Sequence, residues 1–198
     1  TEDYYDQECS WWHTDERGEV YRNRIRKING RSYAFDGIGR MQTGFVLFDG
    51  KSEFVARYEV DDWSSEDFIE GTIYGIEKSD LYLFSPDELN DGSMQIGKDI
   101  AVELEDGVFH FGFASNGKAF GNRNRLQKKE GMYYINGLRL EADEEYGYGV
   151  VKVEDGADAY YQVVDTRGKV IEGKKKIVKD KEGGYLLIIR NRLAALRG

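Results

Sequence analysis

Apolar and polar positions alternate in short runs along this chain, most of them opened by a glycine turn, and the alternation predicts β-hairpins from end to end. Asn29-Gly30 is the strongest such signal, because a type I′ turn needs positive φ at both central residues. After it, Tyr33 and Phe35 fall on one face of a strand and Ser32 and Ala34 on the other. Asp106-Gly107 stands in the same relation to Phe109 and Phe111, Gly131 to Tyr133-Tyr134, Asp155-Gly156 to Tyr160-Tyr161, and Gly183-Gly184 to Tyr185. Windows of helical period are scarce. The most acidic stretch, Tyr58 to Glu70, reads either as a loop or as a short helix with Ser64 or Ser65 as its cap.

A nine-residue pattern punctuates the strands. Asp36 to Gly44 (DGIGRMQTG) runs from an anchor residue to a glycine three places on, an apolar residue two beyond that, and a closing glycine; Asp165 to Gly173 (DTRGKVIEG) repeats it position for position. Degenerate copies lie at Asp15–Asn23, Leu89–Gly97 and Ala114–Asn122, and such repetition signals stacked units. The central glycines are 21 residues apart from Gly18 to Gly39 and 25 from Gly92 to Gly117, but 53 from Gly39 to Gly92 and 51 from Gly117 to Gly168. Each long interval has room for one eroded unit, traced at Phe48–Lys51 in the first and at Asn136-Gly137 in the second. One hairpin is marginal in water, so the aromatics serve first as core between stacked neighbours.

Composition sharpens this picture. Twenty-four glycines with a single proline supply tight turns, and fourteen tyrosines and ten phenylalanines supply strands. The net charge of −9 argues against nucleic acid or an acidic membrane surface as partner. Three Arg-Asn-Arg clusters, at 22–24, 123–125 and 190–192, are therefore read as solvent-facing arginines on a strand that returns once per unit. No apolar run reaches the length of a membrane span. Cys9, the only cysteine, allows no internal disulfide. Residues 1–10 are acidic and read as a frayed end, and the opening TEDYYDQE reads as the start of an excised or mature protein with no signal peptide. With no Pro/Ser-rich linker, residues 11–198 are taken as one hairpin-repeat region.

Ile28 to Phe45 resembles the bacterial cell-wall-binding repeat, the hairpin module of choline-binding and glucan-binding surface proteins, whose pattern runs NGK-WYYFD-xx-G-x-M-x-TGW. Asn29, Gly30, Tyr33, Phe35, Asp36, Gly39, Met41, Thr43 and Gly44 match it. A second resemblance, to WG repeats, lies in Tyr160–Gly173 and implies no defined ligand. The first implies a noncatalytic module of a secreted or surface protein of Gram-positive type, held on teichoic-acid choline or glucan. Choline-binding members hold the cation in an aromatic cage completed by the Trp after the closing glycine. Here that position is Phe45, Lys98, Asn122 or Lys174, which leaves one candidate cage, Tyr33 and Phe45 with Trp12 or Trp63 nearby. Sugar stacking asks less, and Trp11, Trp12 and Trp63 are its candidates; the competing assignment for all these rings is inter-hairpin core.

Catalytic constellations are poor. His110 alternates with Phe109 and Phe111 as an outward strand residue, and His13 is the only other histidine. Cys9 has no neighbouring base. Asp61-Asp62 and Glu66-Asp67 read as a solvated acidic loop, and a glycosidase pair needs a separation that sequence does not give. Asp87–Gly92 has oxygen ligands beside a glycine but lacks the alternation and distal Glu of an EF-hand, and reads as an ordinary turn. No phosphate loop opens a helix. The expectation is an all-β protein of stacked, partly degenerate β-hairpin repeats, a noncatalytic cell-wall or surface-carbohydrate binding module with no cofactor and no metal. The alternative is a structural or protein-binding array without a cell-wall ligand.

Overall fold

The fold turns on a five-residue loop that recurs with the same hydrogen bonds. In a computed structural model describing residues 11–86, 91–156 and 158–197, the Asp36 carboxylate Oδ1 accepts the backbone N–H groups of Ile38, Gly39 and Arg40 at 2.8–3.0 Å. Its other oxygen accepts from the Arg40 guanidinium and the Gln42 amide. Backbone bonds close the loop from Gly39 N–H to Asp36 O and from Asp36 N–H to Arg40 O. Asp15 and Asp165 take the same i+2 and i+4 N–H groups, with Gly18 and Gly168 at positive φ in the fourth position. In the Ala114 copy the backbone bonds persist and Asn116 caps Lys118 instead. The loop also appears where the nine-residue pattern does not run, at Asp49 and Asp180.

Stacking follows from the glycine. A Cβ on Gly39 would sit 2.4 Å from Val20 Cγ1, and one on Gly92 2.9 Å from Met41 Cε; Gly117 faces Met94 Sδ at 2.2 Å and Gly168 faces Arg139 Cγ at 3.0 Å. Gly39, Gly92 and Gly117, each at the fourth position of its copy, thus lie on the sixth residue of the preceding copy, and Gly168 lies on Arg139, two residues past the Asn136-Gly137 turn. The sixth residue also sends its N–H back along the chain, Met41 to Trp11 O, Met94 to Ser32 O, Ala119 to Leu81 O and Val170 to Gly131 O, at 2.8–2.9 Å. Positive φ and close approach both demand glycine there.

The chain divides into two compact units between Ala119 and Phe120. The first holds β1 (Arg24–Ile28), β2 (Arg31–Phe35) and β3 (Met41–Gln42) in one antiparallel sheet, with β4 (Gly44–Asp49) between β5 (Phe54–Tyr58) and β6 (Ser79–Phe84) in another. A helix, α1 (Ser65–Glu70), separates β5 from β6, and β7 (Gly97–Leu104) and β8 (Gly107–Phe113) form a hairpin. Strand β4 is central in its sheet, and its apolar run from Phe45 to Phe48 is buried on both faces, as a covered strand should be. Ala34, Val46, Phe48, Tyr82 and Phe84 make one core cluster.

The second unit holds β9 (Gln127–Lys129), β10 (Met132–Ile135) and β11 (Leu138–Arg139), then the long hairpin of β12 (Tyr148–Asp155) and β13 (Asp158–Asp165). It ends in the three-stranded sheet of β14 (Lys175–Lys179), β15 (Tyr185–Ile189) and β16 (Arg192–Arg197). Tyr133, Val151, Val153, Val164 and Val170 form one core, and Val163, Val178, Leu186 and Ile188 another.

The all-β hairpin-repeat expectation describes this architecture, with two particulars changed and one open alternative settled. The turn traced at Phe48–Lys51 forms, as the Asp49 loop, but among the described residues it does not add a stacked unit between Gly39 and Gly92: Gly92 packs on Met41 itself, and β4, β5, α1 and β6 lie between them as an insertion. The Arg-Asn-Arg clusters fall largely on turns, Asn23 and the pair Arg190-Asn191 having positive φ, because asparagine tolerates the left-handed region. The acidic stretch does form a helix. Ser64 is its N-cap and donates through Oγ to Asp67, Gly71 closes it at φ 67°, and Phe68 is its buried residue. Residues 1–10 with Cys9, and 87–90 of the oxygen-rich turn, lie outside the described residues.

Gly39→Ala is expected to destabilise the first unit by about 2–4 kcal/mol, the sum of a positive φ and an overpacked contact; Gly18→Ala, with nothing within 4 Å of its Cβ, is expected to cost about 1 kcal/mol. Urea midpoints of the two variants measure the difference.

Candidate functional site

The four residues singled out as ligand contacts do not converge. Phe45 is 1% exposed, its ring centroid 5.0 Å from Phe68 and 5.3 Å from Phe111, so both faces belong to the core. Tyr33 is half-buried on β2, and its hydroxyl donates to Asp91, which also accepts from Arg31. Burial, then the Asp91 carboxylate, pushes the Tyr33 phenol up. Trp63 is half-buried edge-on to Tyr58, with its indole N–H buried and unpartnered. Trp12 is elsewhere, its ring edge beside Gly39. A cage around Tyr33 and Phe45 is therefore not assembled: Phe45 occupies the position of a cage Trp in sequence, but it starts the central strand β4, where the insertion covers it with Phe68.

Among the open aromatic rings of the first unit is the tryptophan pair before the first loop. Trp11 is 71% exposed and Trp12 43%. Their backbone is fixed, since Trp11 O accepts the Met41 N–H and His13 O accepts the Tyr21 N–H. Ile38, also exposed, lies next to Gly39 in the loop against which Trp12 rests. Tyr21 is less available, with His13 stacked 5.5 Å away and the Arg26 guanidinium 5.2 Å from its ring. Anchored aromatic faces of this kind suit the apolar side of a sugar or a methylated cation.

A second candidate lies wholly within residues 120–198. A cleft of about 390 Å³ is lined by Glu144, Tyr146, Tyr148, Asp165, Thr166 and the lysines 179 and 181. The Asp143 loop is held over it by bonds from Lys181, whose backbone N–H donates to Tyr146 O and whose ammonium donates to Glu144 O. Two tyrosines, two carboxylates and two lysines lining one cleft suit a ligand carrying both charges. Sequence reasoning passed over this cleft, although Glu-Glu-Tyr-Gly-Tyr-Gly at 144–149 carried a signal: paired tyrosines at strand spacing beside acids.

Asp36 is the buried carboxylate among the described residues, and its oxygens are taken by its own loop. No group of three or more His, Cys, Asp or Glu among those residues converges as a metal site. His110 is partly exposed and faces Asp99 at 4.0 Å. Tyr133, buried on β10, donates to Gln162 Oε1 at 2.7 Å, and the Gln162 amide donates to Asn191 O. Burial, then neighbouring Tyr160, pushes the Tyr133 phenol up to about 12. This is a bracing network that ties β10, β13 and the β15–β16 turn.

No family model matches the chain, and no curated protein sequence does. Its fold is similar to that of choline binding protein F from Streptococcus pneumoniae, with a TM-score of 0.50 at 14% identity over 94% of this chain and 45% of that one. The complex of CbpF with ipratropium gives the same score and identity over 94% and 42%. CbpJ from Streptococcus pneumoniae TIGR4 aligns at 15% identity over 93% of this chain and 66% of its own, with a TM-score of 0.47. At such identity the first two matches establish the hairpin-repeat fold. The chain spans less than half of the CbpF length. Among the described residues no helix is long and apolar enough to cross a membrane.

Because the unfolded chain releases the Tyr133 proton near pH 10 and the folded one near 12, the stability this phenol contributes is complete below pH 10 and falls as pH rises through that window. Tyr133→Phe is expected to flatten the decline of the urea midpoint between about pH 10 and 12; an unchanged slope would refute the assignment.

Proposed function

We propose that this chain is a noncatalytic attachment module that holds a choline-bearing teichoic acid or a glucan of a bacterial cell wall on open aromatic faces rather than in closed cages. The observation that carries this is the anchored, exposed pair Trp11 and Trp12 on a hairpin-repeat scaffold of the kind found in choline binding protein F. A pyranose ring or trimethylammonium group laid on Trp12 replaces water on an indole face, worth about 1–2 kcal/mol per contact. The tyrosine cleft adds a second contact: Glu144 and Asp165 with Tyr146 and Tyr148 favour an ammonium, and Lys179 and Lys181 a phosphate. Contacts so weak hold a polymer only together, through multivalency. The reading places the protein at the cell surface of a Gram-positive-type bacterium.

The burial of Phe45 favours a second reading, a structural or protein-binding array whose wall affinity has gone. Cosedimentation of the purified chain with bacterial cell walls separates the two. Retention is expected on intact walls, with Trp12→Ala reducing it about tenfold. Competition by excess choline, together with loss on walls stripped of teichoic acid, identifies the cation; retention that survives both identifies glycan. No retention on any wall leaves the protein-binding array.

A further inference from the structure

Charge is divided unevenly along the chain, in a way the overall value of −9 hides. Residues 1–119 carry 25 Asp or Glu against 12 Lys or Arg, whereas residues 120–198 carry 12 against 16. Within each part the excess is concentrated beside exposed apolar side chains.

The basic face is the outer side of the terminal sheet. Register places Ile177 opposite Leu187, Lys175 opposite Ile189 and Lys179 opposite Tyr185, all on the face away from buried Val178, Leu186 and Ile188. Ile177 is 62% exposed, and Tyr185 and Ile189 are exposed beside it. The Lys179 ammonium lies 5.7 Å from the Tyr185 ring. Residues 174–192 carry seven Lys or Arg against two Asp or Glu.

The acidic face is built by the insertion between β5 and β6. Tyr74 is 78% exposed, and Val55 and Ile69 are exposed on the same segment. Gly75 packs on Val55, and the Tyr58 hydroxyl donates to Tyr74 O, which sets Tyr74 beside the edge strand. Residues 53–77 carry eight Asp or Glu against one Arg. Of these acids Glu53, Asp61, Asp62, Glu66, Glu70 and Glu77 are exposed.

An isoleucine-and-tyrosine patch edged with lysines and a tyrosine-and-valine patch edged with carboxylates complement each other in both charge and polarity. We infer that the terminal sheet of one copy docks on the acidic insertion of a second copy, so that the protein self-associates head to tail. The contact joins two different surfaces, and it therefore propagates, into a ring if the rotation closes and into a filament if it does not. Apolar contact between the patches supplies attraction, while the charged rims set orientation and the dependence on salt. No cell-wall polymer takes part in the contact; Lys179 belongs to both the cleft and this patch, and a test run without any wall reads the inference separately from the attachment reading.

Sedimentation velocity of the full chain tests it. Species larger than a monomer are expected to grow with protein concentration at about 0.05 M salt and to disappear at about 0.5 M, where charges are screened beyond a few ångströms. Lys175→Gln with Ile177→Ser and Lys179→Gln disables the basic face. Glu66→Gln with Glu70→Gln and Tyr74→Ser disables the acidic one. All six positions are exposed, and circular dichroism confirms that the variants fold. Each triple variant alone is expected to remain monomeric, its association weakened at least about tenfold. Their equimolar mixture, with one working face on each chain, is expected to form dimers and nothing larger. A wild-type monomer at every concentration overturns the inference. So does association indifferent to salt or to either triple substitution, or a mixture that stays monomeric.

Discussion

A glycine-bearing loop, closed by two backbone hydrogen bonds and reinforced at Asp15, Asp36 and Asp165 by a carboxylate that gathers the loop's own N–H groups, is the arrangement on which the rest of the structure depends. Its fourth residue lies in the left-handed region and turns a bare Cα toward the preceding copy. Without that bare Cα, Val20, Met41 and Met94 could not lie so close beneath Gly39, Gly92 and Gly117. The Asp36 loop is the fullest version. Five donors converge on one carboxylate that is only 5% exposed, and charge-assisted bonds of this kind contribute more than neutral ones. The ancillary bonds from Met41, Met94 and Val170 then complete each layer without a long strand.

This arrangement explains how a chain so rich in glycine makes an ordered array from small sheets. Each hairpin buries little by itself, and the aromatic rings that follow the turns are used first to fill the space between layers. Phe35, Phe45, Phe111 and Tyr134 are spent this way. Trp11 and Trp12 escape because they precede the first complete loop, and Tyr146 because it sits on a bridging loop fastened by Lys181 rather than on a strand.

Much of the fold was legible in the sequence for the same reason. The Asp-x-x-Gly spacing of Asp15, Asp36 and Asp165 reports a local hydrogen-bond pattern, and local patterns are written in consecutive residues. The hairpin turns at Asn29-Gly30 and Gly107 are local too. The assignment of layers was less legible, because Gly92 meeting Met41 across an inserted sheet and helix is a contact between distant segments. The candidate cage failed on that point: Phe45 follows the closing glycine as the repeat pattern requires, yet whether its ring is open depends on Phe68 and Phe111. The cleft at Tyr146 was missed because it is assembled from three separate segments. Asp49 and Asp180 form the same loop inside ordinary hairpins, with Ser52 and Gly183 taking the positive φ, which shows that the turn alone does not make a stacked layer.

Native-state hydrogen exchange of the amides that join one layer to the one before tests this account most directly. If the loops lock the layers, the Met41, Met94 and Val170 amide protons exchange only with global unfolding of their unit, as slowly as those of buried strand β4 in the first unit and β13 in the second. Exchange of these protons at rates close to those of exposed turns, while β4 and β13 remain protected, would contradict it and leave the hairpins joined by side-chain packing alone.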